Sequence, residues 1–382
     1  MDVTGELAVL LRPAGAGIHT VSSGGLERHQ AQRRIYGVSS EAEIDGLWHE
    51  ALGALAGACV AVLAVPSDCG AGLVRGAAYG PASLRAALVG RMPDFMARAR
   101  AEGVIDIGDV AVVPQLLHDE MLSEAQKTAT RAALFPALDP TERADLPVAP
   151  LSITARVVER CLAINPGLKF MVLGGDHSVA WPVVAALVRA RPRRPFAILH
   201  PDAHTDLLPE RLGVRYCFAT WAYHANEAIG RSGRLVQVGV RASGRDRAHW
   251  ESSLGVRQFW ASDVRTRGEA ASLDDIFAHL GSLGVQDLYL SNDIDATDGA
   301  LAPATGAPEP AGLSEAFVRA LIRRAGRQMS VIGADLVEVA PPIGDPEGAR
   351  RTVEIGAGYV LESLAALTGS KVFETERGES HV

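Results

Sequence analysis

This 382-residue sequence predicts a doubly wound α/β fold on a mostly parallel sheet, from three observations. Short apolar runs recur from residue 58 onward, and they alternate with Ala- and Leu-rich stretches of helical composition. Most of the runs are hydrophobic throughout rather than at every second residue. Unbroken runs suit strands buried on both faces of a parallel sheet, and alternation of β and α elements is the order in which such a sheet is threaded.

Taken in order, residues 1–50 do not share this rhythm. They contain Gly-rich stretches and a polar run, GGLERHQAQRR, before an amphipathic helix expected over Ala42–Leu55. They read as an N-terminal extension with a role in oligomer contact, leaving 51–382 as one domain. Strands are expected at Ala58–Val65, Lys169–Leu173, Phe196–His200, Leu235–Val240, Asp287–Leu290 and Met329–Gly333. Trp181–Arg191 and Leu313–Arg324 have the Ala, Leu and Arg content of helices. Pro136–Pro150, rich in Pro and Asp, is expected as a surface loop. No internal repeat is present.

Apolar residues make up 48 % of the chain and charged residues 21 %, ordinary for a globular protein with a substantial core. The net charge of −8 argues against a nucleic-acid binder, which would carry a basic footprint. No run of about 20 apolar residues could span a bilayer, and the N-terminus lacks the pattern of a secretory signal. Cys59, Cys69, Cys161 and Cys217 are scattered with no CxxC pair, which fits a reducing cytoplasm better than a disulfide framework.

Three acidic and histidine clusters stand directly after three expected strands: Gly174–Ser178 (GGDHS), Asp202–Asp206 (DAHTD) and Asp293–Asp295 (DID). Ligands of open α/β sheets bind beyond the carboxyl ends of the strands, so the clusters are expected to converge on one crevice. A single Asp at such a place is usually a cap or a turn former, and a single His a satisfied polar residue. Three clusters at three strand ends are a stronger signal. His177 and His204 with Asp202, Asp206, Asp293 and Asp295 form a mixed N/O donor set without thiolate, suited to manganese and related divalent ions. Six ligands exceed the need of one catalytic ion but suit two ions with shared carboxylates, which could acidify a bridging water.

The ordered motifs resemble the ureohydrolase family of arginase, agmatinase, guanidinobutyrase and formimidoylglutamase. Gly76–Arg85 (GAAYGPASLR) and Asp106–Val110 (DIGDV) resemble family segments. GGDHS and DAHTD match in full, Ser291–Gly312 resembles the family's long SxDxD signature, and Gly333–Pro341 its DxVEVxP strand. The resemblance implies a three-layer arginase-like fold and two Mn²⁺ ions, with Ni²⁺ or another divalent ion as substitutes. It assigns one ion to His177, Asp202, Asp206 and Asp293, and the other to Asp202, His204, Asp293 and Asp295. Hydroxide held between the ions would attack a guanidinium or amidine carbon, steered by Asp206, to release urea and an amine. Glu338 would pair with the substrate cation. The family also implies a homo-oligomer, a trimer or hexamer.

This chain departs from the family at several places. Phe218 stands where the family has a proton-shuttling histidine, with His224 the expected substitute and His200 a weaker one. Ala307 replaces a threonine, and Asp298-Gly299 replaces a DP pair. The loop Leu207–Arg215 lacks the Asn/Ser/Thr pattern with which arginase holds an amino acid's carboxylate. Arg211 and Arg215 could recognise an acidic tail there, or stand as solvated loop arginines. The expected partner is a small guanidino or amidine compound. Formimidoyl or other C–N hydrolysis and a catalytically silent metal-binding subunit remain alternatives.

Overall fold

The computed structural model describes residues 1–19 and 24–373, so residues 374–382 of the expected 51–382 unit lie outside the described residues. Among the described residues nine strands form one sheet: β1 (Leu11–Arg12), β2 (Val60–Val65), β3 (Val104–Val110), β4 (Lys169–Gly174), β5 (Phe196–Pro201), β6 (Leu235–Val238), β7 (Arg257–Phe259), β8 (Asp287–Asp293) and β9 (Ser330–Val337). Their order is β1-β3-β2-β4-β9-β8-β5-β6-β7, and only β1, against β3, runs antiparallel. The chain builds outward from β2 to β3, then β4, and jumps across two places to β5. Only later does it return to lay β8 and β9 between β4 and β5. The central neighbours β4, β9, β8 and β5 therefore come from distant parts of the sequence, and their carboxyl ends face one crevice.

Side-chain alternation divides the core between the two faces of the sheet. On β2, Ala61, Leu63 and Val65 enter one apolar cluster, and Val60, Val62 and Ala64 enter the other. Every residue of β2 and β8 is buried; β2 accordingly reads as an unbroken apolar run, while β8 passes from its apolar centre, LYL, into the polar Ser291-Asn292-Asp293 at the site. The helices over Ala180–Ala190 and Glu315–Gln328 cover opposite faces, close to their expected positions. Residues 136–149 hold no helix or strand, and the following helix begins at Pro150, where a missing N–H is harmless.

The sequence reading does not anticipate β1, β3 and β7. β1 and β7 are two and three residues long, too short for periodicity to register. β3 (VIDIGDV) carries two aspartates whose charges only the tertiary fold neutralises. Arg85 reaches Asp106 with two N–H donors, each at 2.7 Å, and donates to Asp109 at 2.5 Å, all three side chains being buried. The segments Gly76–Arg85 and Asp106–Val110 thus meet in a structural ion cluster at the sheet's edge.

The described residues of the first 50 are stitched to that edge. Leu7, Leu10 and Leu11 are fully buried, β1 pairs with β3, and Asp109 also accepts the backbone N–H groups of Gly15 and Gly17 at 2.8 and 3.0 Å. The helix expected at Ala42–Leu55 spans Glu41–Gly53, starts on a Ser40/Glu43 capping box, and sends the Trp48 indole N–H to the Ile107 carbonyl at 2.9 Å. Among the described residues no helix is long and apolar enough to cross a membrane.

Candidate metal centre

Each cluster is held in place by its own strand end. After β4, Gly175 presses so closely on the exit of the neighbouring β2 that a Cβ there would lie 1.9 Å from the Ser67 carbonyl oxygen. Asp176 caps the short turn His177–Val179 by accepting from Ser178 N at 2.8 Å. After β5, Asp202 Oδ1 accepts from the backbone N–H of His204 at 2.5 Å, and Asp295 Oδ1 accepts from that of Ala203 at 3.0 Å. At the end of β8, Asp293 accepts from Asp295 N at 2.8 Å. Short Asp-to-backbone bonds of this kind fix carboxylates that would otherwise repel one another.

Two donor sets result. His177 Nδ1 lies 3.0 Å from Asp293, 3.2 Å from Asp202 and 3.5 Å from Asp206. His204 Nδ1 lies 3.0 Å from Asp295 and 3.5 Å from Asp202. Asp202 offers Oδ2 to the first set and Oδ1 to the second, so one carboxylate straddles both.

Behind the first set runs a relay. His177 Nε2 donates to Ser291 Oγ at 3.0 Å, and Ser291 Oγ donates to Asp335 at 3.0 Å. Asp335 also accepts from the Tyr289 hydroxyl at 2.8 Å. A proton on Nε2 leaves Nδ1 as a bare lone pair without a hydrogen-bond partner, buried and facing three carboxylate oxygens. Negative groups converge this way around a cation. No Lys or Arg side chain pairs with Asp202, Asp206, Asp293 or Asp295 among the described residues.

Protonation tells the same story. Burial, then the charge of Asp202, pushes Asp206 up to about 8, and burial with Asp295 and Asp202 lifts Asp293 well above the usual carboxylate range. Burial opposes the charged form of His177, yet the negative carboxylates of Asp202 and Asp293 beside its ring still raise it well above an ordinary imidazole. Protons take up the excess negative charge where divalent ions would do so more fully, so the residues fit a pair of metal ions.

His200 lies beside the first set, but both its ring nitrogens are engaged. Nδ1 accepts from Gln237 Nε2 at 3.0 Å and Nε2 donates to Asp202 Oδ2 at 2.7 Å, while Gln237 is itself held by Gln258 at 2.8 Å. His200 therefore orients Asp202. Trp221 was not foreseen: it is fully buried, stacks on His177 at 4.4 Å, and donates its indole N–H to Asp206 Oδ2 at 3.0 Å. Of these supporting groups, the sequence reading names His200, as a weaker proton donor, and its motifs contain Ser291 and Asp335, while Trp221 and Gln237 carry no signal.

A cavity of about 220 Å³ opens above the two sets. His177, His204, Asp206, Asp293 and Asp295 line its floor, and Glu338, Arg211, Phe218, Thr305, Ala307 and Ala71–Val74 its walls. Glu338 is held at φ +62°, with its carboxylate accepting from the His177 backbone N–H at 3.0 Å. Asp206 is likewise left-handed at φ +52°, and such strain is characteristic of functional positions. Thr305 Oγ1 is buried with no hydrogen-bond partner.

Two expectations need correction. His224 is not part of the cavity lining: its Nε2 donates to the Arg215 carbonyl at 3.0 Å, and its ring packs among Trp181, Tyr216 and Tyr223. The helix Trp221–Ala228 turns Trp221 toward the metal ligands, but His224 lies one turn further along, where the Arg215 carbonyl and the Trp181 and Tyr216 rings take up its side chain. Arg215 also lies outside the lining, 63 % exposed, with Glu120 at 3.7 Å and its guanidinium over Tyr216.

Comparison with known proteins adds ancestry to this geometry. The model of the arginase family matches residues 58–365. The guanidinobutyrase of Pseudomonas aeruginosa is 30 % identical over 344 residues, 88 % of this chain and 91 % of that one. The human mitochondrial guanidino acid hydrolase is 35 % identical over 200 residues, 52 % of this chain, so the matched region spans about half, 54 %, of that relative's length. Among solved structures, the proclavaminate amidino hydrolase of Streptomyces clavuligerus superposes with a TM-score of 0.60 at 26 % identity, covering 81 % of this chain and 92 % of that one.

Proposed function

The chain belongs to the arginase family, and from that premise we propose that it is a two-metal hydrolase that cleaves a guanidino C–N bond to release urea and an amine. The observation that carries this reading is Asp202, whose two oxygens are divided between two imidazole-bearing donor sets. His177, Asp202, Asp206 and Asp293 would hold one ion and Asp202, His204, Asp293 and Asp295 the other, with Asp202 and Asp293 shared. The donor set suits Mn²⁺, with Ni²⁺ as a substitute. When bound, such a pair of ions acidifies a water to a nucleophile at neutral pH and neutralises charge that develops on the substrate.

The chain's own residues do the positioning. Glu338, clamped by the His177 N–H, presents a carboxylate to a planar guanidinium, which it can accept through two parallel hydrogen bonds. Phe218 and Ala307 wall the cavity without polar atoms, so they exclude water and supply no proton to the leaving amine. Thr305 Oγ1 is a free donor or acceptor for the substrate. Arg211 lines the cavity with its guanidinium over the Phe218 ring at 5.1 Å, and its charge favours a substrate whose far end is neutral or anionic. The guanidino acids named for the human and Pseudomonas relatives have such an end. Agmatine, with a far ammonium, does not.

Product release from a panel of 4-guanidinobutyrate, 3-guanidinopropionate, arginine, agmatine and formimidoylglutamate, with Mn²⁺ or Ni²⁺, tests the proposal. Urea should come from the guanidino acids, with kcat/KM above that for agmatine by roughly tenfold or more, since like charges juxtaposed in a site oppose binding. Product from formimidoylglutamate alone would shift the reaction to another C–N bond. Bound metal with no product from any compound would leave a silent metal-binding homologue.

A further inference from the structure

Two loops meet over one ring at the cavity mouth. Arg211 places its guanidinium 5.1 Å from the Phe218 centroid, and a Cβ on Gly72 would lie 3.5 Å from Phe218 Cζ. Next to each of these residues stands a leucine in the open: Leu73 is 99 % exposed and Leu212 is 98 % exposed. Val74 and Leu208, on the same two loops, are also exposed. Single exposed leucines are ordinary on a protein surface, but Leu73 lines the cavity and Leu212 directly follows Arg211, which also lines it.

Leu212 is the more informative of the two. Arg211 and Val214 exchange backbone hydrogen bonds at 2.9 Å each, closing a two-residue turn in which Leu212 has φ +52° and Gly213 φ +80°. Positive φ at both central positions is the type I′ arrangement, for which Asn-Gly and Asp-Gly are the favoured pairs. A bulky apolar side chain at the first position opposes the local backbone preference and packs against nothing in the free chain. The cavity itself, at about 220 Å³, is also smaller than the roughly 300–1,000 Å³ of ordinary ligand pockets. Anything larger than a guanidino group on a short chain must leave through the mouth.

Resting on the reading that the floor takes a guanidinium, we propose that Leu73 and Leu212 form an apolar clamp. The substrate is then a guanidino compound that carries an aliphatic or acyl-chain extension past Arg211. Arg211 donates to a carboxyl-derived oxygen at the end of the short guanidinoalkyl segment, and the apolar chain beyond it leaves between the two leucines.

Binding of ethyl-, butyl- and octylguanidine to the full chain loaded with Mn²⁺, measured by titration calorimetry, reads the clamp without depending on turnover. Affinity should rise at least about tenfold from ethyl to octyl, a fraction of the ~fourfold per methylene that full burial would give. Leu212→Asn and Leu73→Ser should each bring that ratio toward one. Leu212→Asn installs the pair the turn prefers, so an unchanged or higher melting temperature separates lost binding from lost fold. A ratio near one in the parent chain, or one untouched by both substitutions, overturns the proposal. So does a variant that keeps the ratio but falls to a lower oligomer in light scattering, which would assign the leucines to contact between copies. Failure of the hydrolytic reading looks different: no urea from any guanidino compound while affinity still climbs with chain length.

Discussion

At the floor of the cavity, His177, Asp202 and Asp206 each have a side-chain partner behind them. Ser291 and Asp335 hold His177, His200 and Gln237 hold Asp202, and Trp221 holds Asp206. At the mouth, Leu73 and Leu212 are almost wholly exposed on loops joined over a single aromatic ring. The floor hangs from four adjacent central strands, while the mouth hangs from connections between elements. Metal ligands tolerate little positional error, so buried hydrogen-bonded layers lock them in place. A mouth needs only to match the shape and polarity of whatever passes through it, and can change without disturbing the floor. The departures Phe218 and Ala307 lie on the cavity wall, between the two regions.

The contrast is broken most severely by removing a shared carboxylate. Asp202→Ala or Asp293→Ala should abolish binding of both ions in elemental analysis and lower kcat by roughly 10³-fold or more, since two-metal stabilisation amounts to several kcal/mol. Full metal occupancy in either variant would show that the floor is not organised around these residues.

Next in size is the layer behind the ligands. Asp335→Asn should leave His177 in place but weaken its orientation through Ser291, lowering metal affinity about 10- to 100-fold in a competitive chelator titration. An affinity equal to that of the parent would reduce the relay to ordinary core packing.

Glu338→Gln divides floor from wall. It removes the charge offered to a guanidinium, and a charge-assisted hydrogen bond of about 1.5–3 kcal/mol corresponds to roughly a 10- to 150-fold loss in kcat/KM. Metal content should stay at the parent's level. Loss of both ions together would instead move Glu338 into the ligand set.

His224→Ala should have the smallest effect. Its ring nitrogen is committed to the Arg215 carbonyl and the side chain is absent from the cavity lining, so kcat should change by less than about twofold, far below the ~10²–10⁴-fold of general acid catalysis. A larger fall in kcat with the fold intact would mean that the helix Trp221–Ala228 reorients when substrate binds.

The sequence was legible where one local pattern carried the information. Six strands declare themselves as apolar runs because both their faces are buried, and the three clusters stand out because charge follows directly on those runs. β3 was hidden because Asp106 and Asp109 are tolerated only through Arg85, from another segment. Trp221 and Gln237 belong to no acidic motif, and only the fold makes them neighbours of ligands. His224 misled because nearness in sequence to the substrate loop says nothing of the Arg215 carbonyl and the aromatic rings that take up its side chain.

By itself, then, the sequence determined which elements are buried and which residue types gather at their carboxyl ends, since burial and charge are written residue by residue. It also determined the family, through the order of its motifs. The tertiary structure decided which oxygen of Asp202 serves which imidazole, and that the bare nitrogen of His177 faces carboxylates. It decided too that His224 is turned away and that Leu212 is left unpacked on a strained turn. Each of these depends on distances between segments tens to hundreds of residues apart. A linear pattern holds no information about those distances until the sheet has set the order of its strands.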